Sequence, residues 1–248
     1  MAKQDILHSV SRPAILAAGI GLILIFIAAT VVTLSILRKE DQARSEWYLG
    51  SLATALGEQM RQSVHTLDLL GRTTAEELGD RYSGKRSLSD EELNQRLKER
   101  LAVLPGAHML AFVDPGGNVV LHVPPNPSPD FNFADREHVQ AQLERRLEGL
   151  YVGRPVVGRM AKEWFEVFSY RVEDRQGGLR GVVLLAVAMT HFQKLFGTIN
   201  LGDGGRVMLF RDDGVLLATH PPEEKAYGRS FADDPLFRET LPAELSGV

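Results

Sequence analysis

"HMLAFVDPGGNVVLHVPP", residues 108–125, is the stretch that decides the fold. An apolar run breaks at an acidic, glycine-rich turn, and a second apolar run follows and ends in two prolines, which is the pattern of a β-hairpin. Residues 206–222, "RVMLFRDDGVLLATHPP", repeat this pattern. Glycine tolerates the positive φ of a tight turn, and proline offers no N–H to a neighbouring strand. The repeat indicates a duplicated module. Two unrelated hairpins with stereotyped turns are the alternative.

The composition is that of a folded protein, with 44% hydrophobic and 24% charged residues in a chain of 248. This length is sufficient for one or two hydrophobic cores. The net charge of −4 argues against a nucleic-acid-binding surface. Because the chain has no cysteine, disulfide bonds and thiolate metal sites are excluded.

An apolar segment near the start, residues 13–37, contains no charged residue. As a helix it matches the ~30 Å hydrocarbon core of a bilayer, so it predicts a transmembrane helix and contact with lipid. A cleavable signal peptide is the alternative, but its apolar region normally runs ~7–15 residues and ends in a small-x-small cleavage site. Basic residues flank both ends of the segment, so their distribution does not decide its orientation.

A long helix is predicted for residues 38–82, because residues 41–82 lack proline and apolar side chains recur in steps of three and four. The apolar positions are Leu49, Leu52, Leu56, Met60, Val64, Leu67 and Leu70. Either a folded domain or the same helix of a second chain must cover this stripe. Glycines within the helix disfavour a continuous coiled coil. We therefore expect packing on the domain, with homodimer contacts through the long helix near the membrane.

The remaining chain predicts an α+β fold with an antiparallel sheet. A capping box opens a second helix at Ser89, which runs to about Leu104. After the first hairpin come a helix at 135–147 and two strands at 163–172 and 179–189. The order strand, strand, helix, strand, strand suits an antiparallel sheet with helices on one side, the layout of a small sensor module.

The ordered blocks resemble the double Cache domain, the PAS-like extracytoplasmic sensor region of bacterial membrane receptors. The blocks are "FVDPGGNVV", "FADREHV", "LYVGRPVVGR", "WFEVFSYRV" and "GDGGRVMLFRDDGVLLATHP". The resemblance covers about residues 38–248 and is greatest to versions ahead of diguanylate cyclases and sensor histidine kinases. It implies a membrane-distal module at 83–195, a membrane-proximal, truncated module at 196–248 and a cytoplasmic N-terminus at 1–12. The sensor region would be periplasmic or extracellular, on the bacterial inner membrane.

The resemblance places a small-molecule pocket in the distal module. The residues there best suited to bind an anionic metabolite are Arg136, Tyr151, Arg159, Trp164, Tyr170 and Arg171. Arginine offers a bidentate fork to a carboxylate, and an aromatic ring offers a wall or an ammonium-binding face. Strand alternation puts Trp164 and Tyr170 on the face opposite Arg171, so the two sets cannot both line one pocket. Each of these residues could instead have a structural role, as a residue at the start of a helix or as an aromatic side chain in the sheet core.

Other candidate ligand groups are weaker. The arginine, aromatic and aspartate pattern of amino-acid-binding family members is not matched here, because Arg159 and Trp164 are too widely separated, so an amino-acid ligand is disfavoured. His122 lacks a second ligand at metal-binding spacing, and His138 is predicted to be a surface or packing residue. We predict no metal and no cofactor.

Catalytic motifs are absent from the sequence: it has no nucleophile elbow, no phosphate-binding loop and no His-Glu-x-x-His. We predict no enzymatic activity, and any cyclase or kinase would lie beyond Val248. The predicted function is ligand sensing for cyclic-di-GMP or two-component signalling, with a ligand in the distal module and transmission through the long helix. A membrane-tethered interaction or dimerisation module without ligand is the alternative. Cavity-facing Arg136, Arg159 or Arg171 would favour sensing, whereas exposed arginines over a filled core would favour interaction.

Overall fold

The computed structural model describes residues 12–84, 89–125, 131–144, 149–159, 161–199, 201–202, 204–235 and 237–238. The helices are α1 Arg12–Tyr82, α2 Asp90–Ala102, α3 Glu137–Glu144 and α4 Met189–Phe196, with a 3-10 turn at Glu224–Ala226. The strands are β1 Ala107–Val113, β2 Val119–Val123, β3 Tyr151–Val152, β4 Val156–Val157, β5 Trp164–Glu173, β6 Leu179–Ala188, β7 Val207–Phe210 and β8 Leu216–His220.

Helix α1 is a single helix of 71 residues, where the sequence predicted a membrane span followed by a second long helix. The predicted cytoplasmic segment lies outside the described residues up to residue 11, and so do the side chains of residues 13–25 in the predicted span. Within the described part of the chain, no helix combines the length and apolar character needed to cross a membrane.

The chain divides into two compact units, residues 1–62 and 63–248. In the first unit the described part of α1 has exposed apolar side chains, for example Trp47 and Leu49. The second unit contains the end of α1, both sheets and the other helices. The finer division into modules at 83–195 and 196–248 stays a prediction.

Helix α2 begins as its sequence predicts. The Ser89 hydroxyl accepts a hydrogen bond from the Glu92 N–H at 3.2 Å, and the Glu92 carboxylate accepts one from the Ser89 N–H at 2.9 Å. This reciprocal pair confirms the predicted capping box, which satisfies two backbone donors that a helix start otherwise leaves unpaired. The helix ends at Ala102, two residues before the predicted end.

The main sheet has six strands in the order β2-β1-β6-β5-β3, with β4 also paired to β5. The pairs are antiparallel, which confirms the predicted antiparallel sheet, and the predicted strand, strand, helix, strand, strand order is present with two additional short strands after the helix. These two short strands, β3 and β4, were not predicted. They pair with residues 164–169 of β5, and at two residues each they are too short to show a period in sequence.

Helices cover both faces of this sheet, so the prediction of helices on one side is wrong. On one face, Val139 of α3 packs in a buried cluster with Phe165 and Val167. On the other face, the Tyr170 hydroxyl contacts the Leu67 carbonyl oxygen of α1 at 3.3 Å. A strand buried on both faces shows no apolar and polar alternation, which is why the sequence did not reveal the second layer.

The second hairpin, β7 and β8, forms a separate two-stranded sheet. Both predicted hairpins are therefore present. The strands β2 and β8 end directly before the proline pairs, at Val123 and His220. The bonds Val123–Pro124 and His220–Pro221 are both cis.

Candidate functional site

A cavity of about 280 Å³ lies on the α3 side of the main sheet. Its lining comes from strands β1, β2, β4, β5 and β6, from α3, and from connecting residues that include Phe131, Phe133, Arg136, Gly158, Arg159 and Ala161. This volume is close to the lower limit of about 300 Å³ for small-molecule sites, so the cavity suits a metabolite of modest size.

The floor of the cavity is apolar because the sheet aligns side chains of one face. Val167 of β5 lies directly opposite Ala186 of β6, and both line the cavity together with Phe165 and Leu184. These four residues belong to the buried cluster on the α3 face. Phe131 and Phe133 add aromatic walls from the loop before α3.

Arg136 supplies a positive charge to this apolar lining. It precedes α3, and its N–H donates to the Phe133 carbonyl oxygen at 3.0 Å, which holds the residue in a turn. The guanidinium is half-buried and forms no ion pair or side-chain hydrogen bond within the described part of the chain. Desolvation, followed by the nearby charge of Arg159, lowers the pKa of Arg136. The side chain remains a cation at neutral pH and is available to a ligand.

Arg159 also lines the cavity, but its donors are already used. Its guanidinium makes two hydrogen bonds to the Asp135 carboxylate, at 2.6 and 2.7 Å, and one to the Asn132 carbonyl oxygen. The guanidinium carbon also lies 5.7 Å from the centre of the Phe133 ring. The hydrogen bonds of Arg159 lower the pKa of Asp135. Arg159 therefore fastens the segment 132–135 to the sheet.

His138 contributes a neutral polar group to the cavity. It is 3% exposed, and burial, with the Arg136 charge second, lowers its pKa to about 4. Its Nδ1 atom is buried without a hydrogen-bond partner among the described residues. Gly153 passes close by, since a Cβ built there would lie 3.3 Å from the His138 Cβ. The prediction of a surface or packing residue missed that His138 lines the cavity.

Two further histidines in the lining were also missed. The His122 Nδ1 atom contacts the Pro124 carbonyl oxygen, and its Nε2 atom is buried without a partner among the described residues. The His108 ring lies 4.8 Å from the Phe165 ring. No grouping of three or more His, Cys, Asp or Glu residues in the described ranges could hold a metal ion.

Tyr151 and Arg171 of the predicted set lie outside the lining. The Tyr151 hydroxyl donates to the Glu137 carboxylate at 2.6 Å, which ties β3 to the start of α3. Arg171 shares the Phe165 face of β5 but lies farther along the strand. Its guanidinium donates to the Glu173 carboxylate and to the Gln142 carbonyl oxygen, both at 2.6 Å.

Trp164 and Tyr170 lie on the opposite face of β5, as strand alternation predicts. The Trp164 ring packs edge-on against Tyr227, with 5.4 Å between ring centres. Tyr170 is 2% exposed, and its ring occupies the space that a side chain at Gly71 of α1 would need. Of the six predicted residues, the cavity therefore includes Arg136 and Arg159.

A short sequence repeat marks this segment. Phe-Ala-Asp occurs at 133–135 and again at 231–233, each after one hairpin. In the structure each copy packs on the turn of its hairpin, because the Phe133 N–H donates to Gly117 and the Phe231 N–H donates to Gly214, both at 2.8 Å. The repeat identifies the segment that carries Arg136 as part of the duplicated module.

Comparisons with known proteins agree with this architecture. A family model described as a histidine kinase sensor domain, dCache_1_like, matches residues 189–248. The search of curated proteins finds no match. A crystal structure of the extracellular domain assigned to histidine kinase rpHK1S-Z16 is 26% identical, with a TM-score of 0.57, and the match covers 76% of this chain and 81% of that chain.

Two ligand-binding domains share the fold at lower identity. The first is from the Pseudomonas aeruginosa PAO1 amino acid chemoreceptor PctC, in complex with GABA, at 17% identity and a TM-score of 0.55, over 75% of this chain and 78% of that chain. The second is the ligand-binding domain of Mlp24 with asparagine, at 20% identity and a TM-score of 0.55, over 79% of this chain and 78% of that chain.

All of these matches are sensor or ligand-binding domains, which agrees with the prediction that this chain carries no enzymatic activity. The order of elements, the cavity beneath the loop before α3 and the repeated hairpin agree with the same architecture. The resemblance predicted from the ordered blocks is thus confirmed: residues 189–248 match a dCache_1-like sensor-domain model, and the chain is similar over most of its length to the extracellular domain at 26% identity.

Proposed function

We propose that this chain is the extracytoplasmic region of a membrane-bound receptor and binds a small molecule in the cavity of its distal module. The observation that carries the proposal is the cavity of about 280 Å³ with the cation Arg136 in an otherwise mostly apolar wall. A half-buried guanidinium that lacks an ion pair among the described residues can pair with a carboxylate of a ligand, which supports an anionic ligand.

The cavity also favours sensing over the interaction module. Interaction alone predicts exposed arginines over a filled core. Arg136 and Arg159 instead border an unfilled volume, and Arg159 positions the segment that carries Arg136. Arg171 lies outside the lining, and its guanidinium donates to Glu173 and Gln142.

Membrane attachment belongs to the proposal and rests on the sequence. The charge-free run at 13–37 is long enough to span a bilayer of the bacterial inner membrane. Side chains of a short segment after it are exposed and apolar, with Trp47 at 74%, Tyr48 at 49% and Leu49 at 51%. Apolar side chains that are exposed in one chain support a homodimer contact through the long helix, because a second copy can bury them.

Signalling would proceed through α1. Tyr170, on the opposite face of the strand that lines the cavity, packs on Gly71 and contacts Leu67 of this helix. A ligand that binds one arrangement of the sheet and helix more tightly shifts the balance by that difference in affinity, and a near-complete switch needs ~5.5 kcal/mol.

Two-component signalling is the output we favour, because the family model and the extracellular domain at 26% identity both name histidine kinases. Cyclic-di-GMP signalling is the second candidate, from the resemblance to sensors ahead of diguanylate cyclases. The sensor fold alone does not select between these outputs, since one sensor fold serves unrelated output domains.

A thermal-shift screen of the full chain in detergent against a metabolite library tests the proposal. We expect a compound that binds to raise the melting temperature. At a concentration one hundred times its Kd, it should add ~2.7 kcal/mol to the free energy of unfolding. Arg136→Ala should abolish the shift. Arg206→Ala, at a side chain that is 60% exposed and paired with Glu223, is the matched control and should keep it. A well-folded dimer that no compound stabilises would instead support the interaction module.

A further inference from the structure

We infer that the ligand of this cavity is a small monocarboxylate with an apolar body and without an amino group. The inference rests on the proposed function and specifies its ligand class. It follows from three features of the site: the guanidinium of Arg136, which has no ion pair among the described residues, the ion pair between Arg159 and Asp135, and the apolar floor.

The free charge is that of Arg136. Its fork can hold both oxygens of a carboxylate through two parallel, charge-assisted hydrogen bonds. The corresponding position after the second Phe-Ala-Asp is Asp234, so the two copies carry opposite charges there. The cation is therefore particular to the copy that encloses the cavity.

The ammonium group of an amino-acid ligand would find no counterion among the described lining residues. The described lining residues include no carboxylate. Asp135 is next to Arg136 in sequence, but both of its oxygens accept hydrogen bonds from Arg159. An α-amino acid would bring a buried ammonium group to this lining, and burying an unpaired charge is costly. An acid without the amino group avoids that cost.

The apolar floor of the cavity favours a ligand with a hydrocarbon body. Phe165, Val167, Leu184 and Ala186 form a floor that offers no side-chain hydrogen bonds. Hydrocarbon groups gain from burial there, whereas hydroxyl or amide groups would lose their water. His138, neutral and 3% exposed, can add one N–H donor to the carboxylate that Arg136 holds.

The test is calorimetric titration of the full chain in detergent with matched compounds. One series is 4-methylpentanoate, L-leucine and 4-methylpentanamide, which share a branched body. A second series is 3-phenylpropanoate, L-phenylalanine and 3-phenylpropanamide. We expect at least one acid to bind, and its amino acid and amide partners to bind at least ten-fold more weakly. Inorganic phosphate, an anion without an apolar body, should also bind at least ten-fold more weakly.

Arg136→Gln should weaken binding of the acid at least ten-fold, whereas Arg206→Gln should leave it unchanged. The wild-type series alone decides the ligand class, so the inference remains testable even where a variant folds poorly. An amino acid that binds as tightly as its acid, or an amide that equals the acid, would overturn the inferred class while sensing stands. Failure of both series and of the wider metabolite library to bind would overturn the proposed function as well.

Discussion

The two copies of the hairpin share a backbone but differ in charge. Gly117 and Gly214 occupy the same turn position, and both have φ of 81°. The N–H of Phe133 donates to the first glycine and that of Phe231 to the second, at the same 2.8 Å. Because the hydrogen bonds and backbone angles agree, the resemblance extends beyond stereotyped turn chemistry and supports duplication.

The charges diverge at two corresponding positions. The residue after Phe-Ala-Asp is Arg136 in the first copy and Asp234 in the second, and each N–H donates to the preceding phenylalanine, at 3.0 and 2.9 Å. In the hairpin turns, Asp114 corresponds to Arg211, and each N–H bonds across its own turn at 2.9 Å. The backbone defines the module, and the side chains on it determine what each copy does.

The largest expected effect comes from breaking the shared turn. A Cβ added at Gly117 would lie 2.4 Å from the Ala134 nitrogen, and at Gly214 it would lie 2.7 Å from the Ala232 nitrogen. Together with the positive φ, we expect Gly117→Ala to lower the free energy of unfolding by about 3 kcal/mol and Gly214→Ala by about 2 kcal/mol. Urea denaturation measures both.

Gly57→Ala is the control for the glycine substitutions. Gly57 is exposed in α1, and an added Cβ would meet nothing within 4 Å. Alanine is the better helix former by ~1 kcal/mol, so this variant should be as stable as the wild type or slightly more stable. A loss in all three variants would show that the turns are not special.

The second effect is a pH dependence carried by the first copy. His138 has its pKa lowered from 6.5 to about 4, mainly by burial, so the unfolded chain takes up its proton more readily. Its stabilising contribution is present above pH 6.5 and is lost as the pH falls towards 4. Between pH 7 and pH 5 we expect a loss of roughly 2 kcal/mol.

His138→Leu should remove this dependence. Leucine does not titrate, and the second copy has Leu236 at the corresponding sequence position. The measurement is urea denaturation at pH 7, 6 and 5, above the range in which most carboxylates titrate. Parallel stability profiles for the wild type and the variant would show that His138 is not the group responsible.

A third prediction concerns the link between the copies. Arg211 in the second turn donates to the Val152 carbonyl oxygen at 2.8 Å and pairs with Asp213 at 2.6 Å. We expect Arg211→Ala to lower the free energy of unfolding by about 1 kcal/mol, because the bond to β3 is lost. Arg206→Ala removes an exposed pair with Glu223 and should change stability by less than about 0.5 kcal/mol. Equal effects would mean that Arg211 acts only as a surface charge.

The smallest effect on stability is expected at the proposed ligand cation. Arg136 has no ion pair among the described residues, so Arg136→Gln should alter the free energy of unfolding without ligand by less than about 0.5 kcal/mol. Arg159→Gln should cost more, about 1 kcal/mol, because it breaks the pair with Asp135. Thermal denaturation without ligand distinguishes them. A larger loss in Arg136→Gln would point to a structural role.

Much of the fold could be predicted because its signals are local. The turn glycines, the terminal prolines and the capping box at Ser89 act within a few residues, and the hairpins and α2 are present as predicted. Strands β5 and β6 begin and end within one residue of their predicted limits. Strands β3 and β4 were missed, because two-residue strands form only where a partner strand is already in place.

The sequence could predict which side chains of a strand share a face, but it could not locate the cavity. The period of a strand separates Phe165 from Trp164 but does not say which face encloses an open volume. His108, His122 and His138 come from three different elements, and no spacing in the chain relates them. Arg136 and Arg159 were both expected at the pocket, yet sequence could not indicate that Asp135 pairs with Arg159 and leaves Arg136 free.

By itself, the sequence determined that the chain contains two similar hairpins, a long helix and an α+β fold, because periodicity, turn residues and caps act over short distances. The sensor role came from the resemblance of its ordered blocks to a known family. Only the tertiary structure decided which residues meet. It placed helices on both faces of the sheet, separated the tyrosines and tryptophan from the cavity, and brought three histidines and two arginines to its lining. The physical reason is that burial and pairing depend on contacts between distant segments, which no local pattern records.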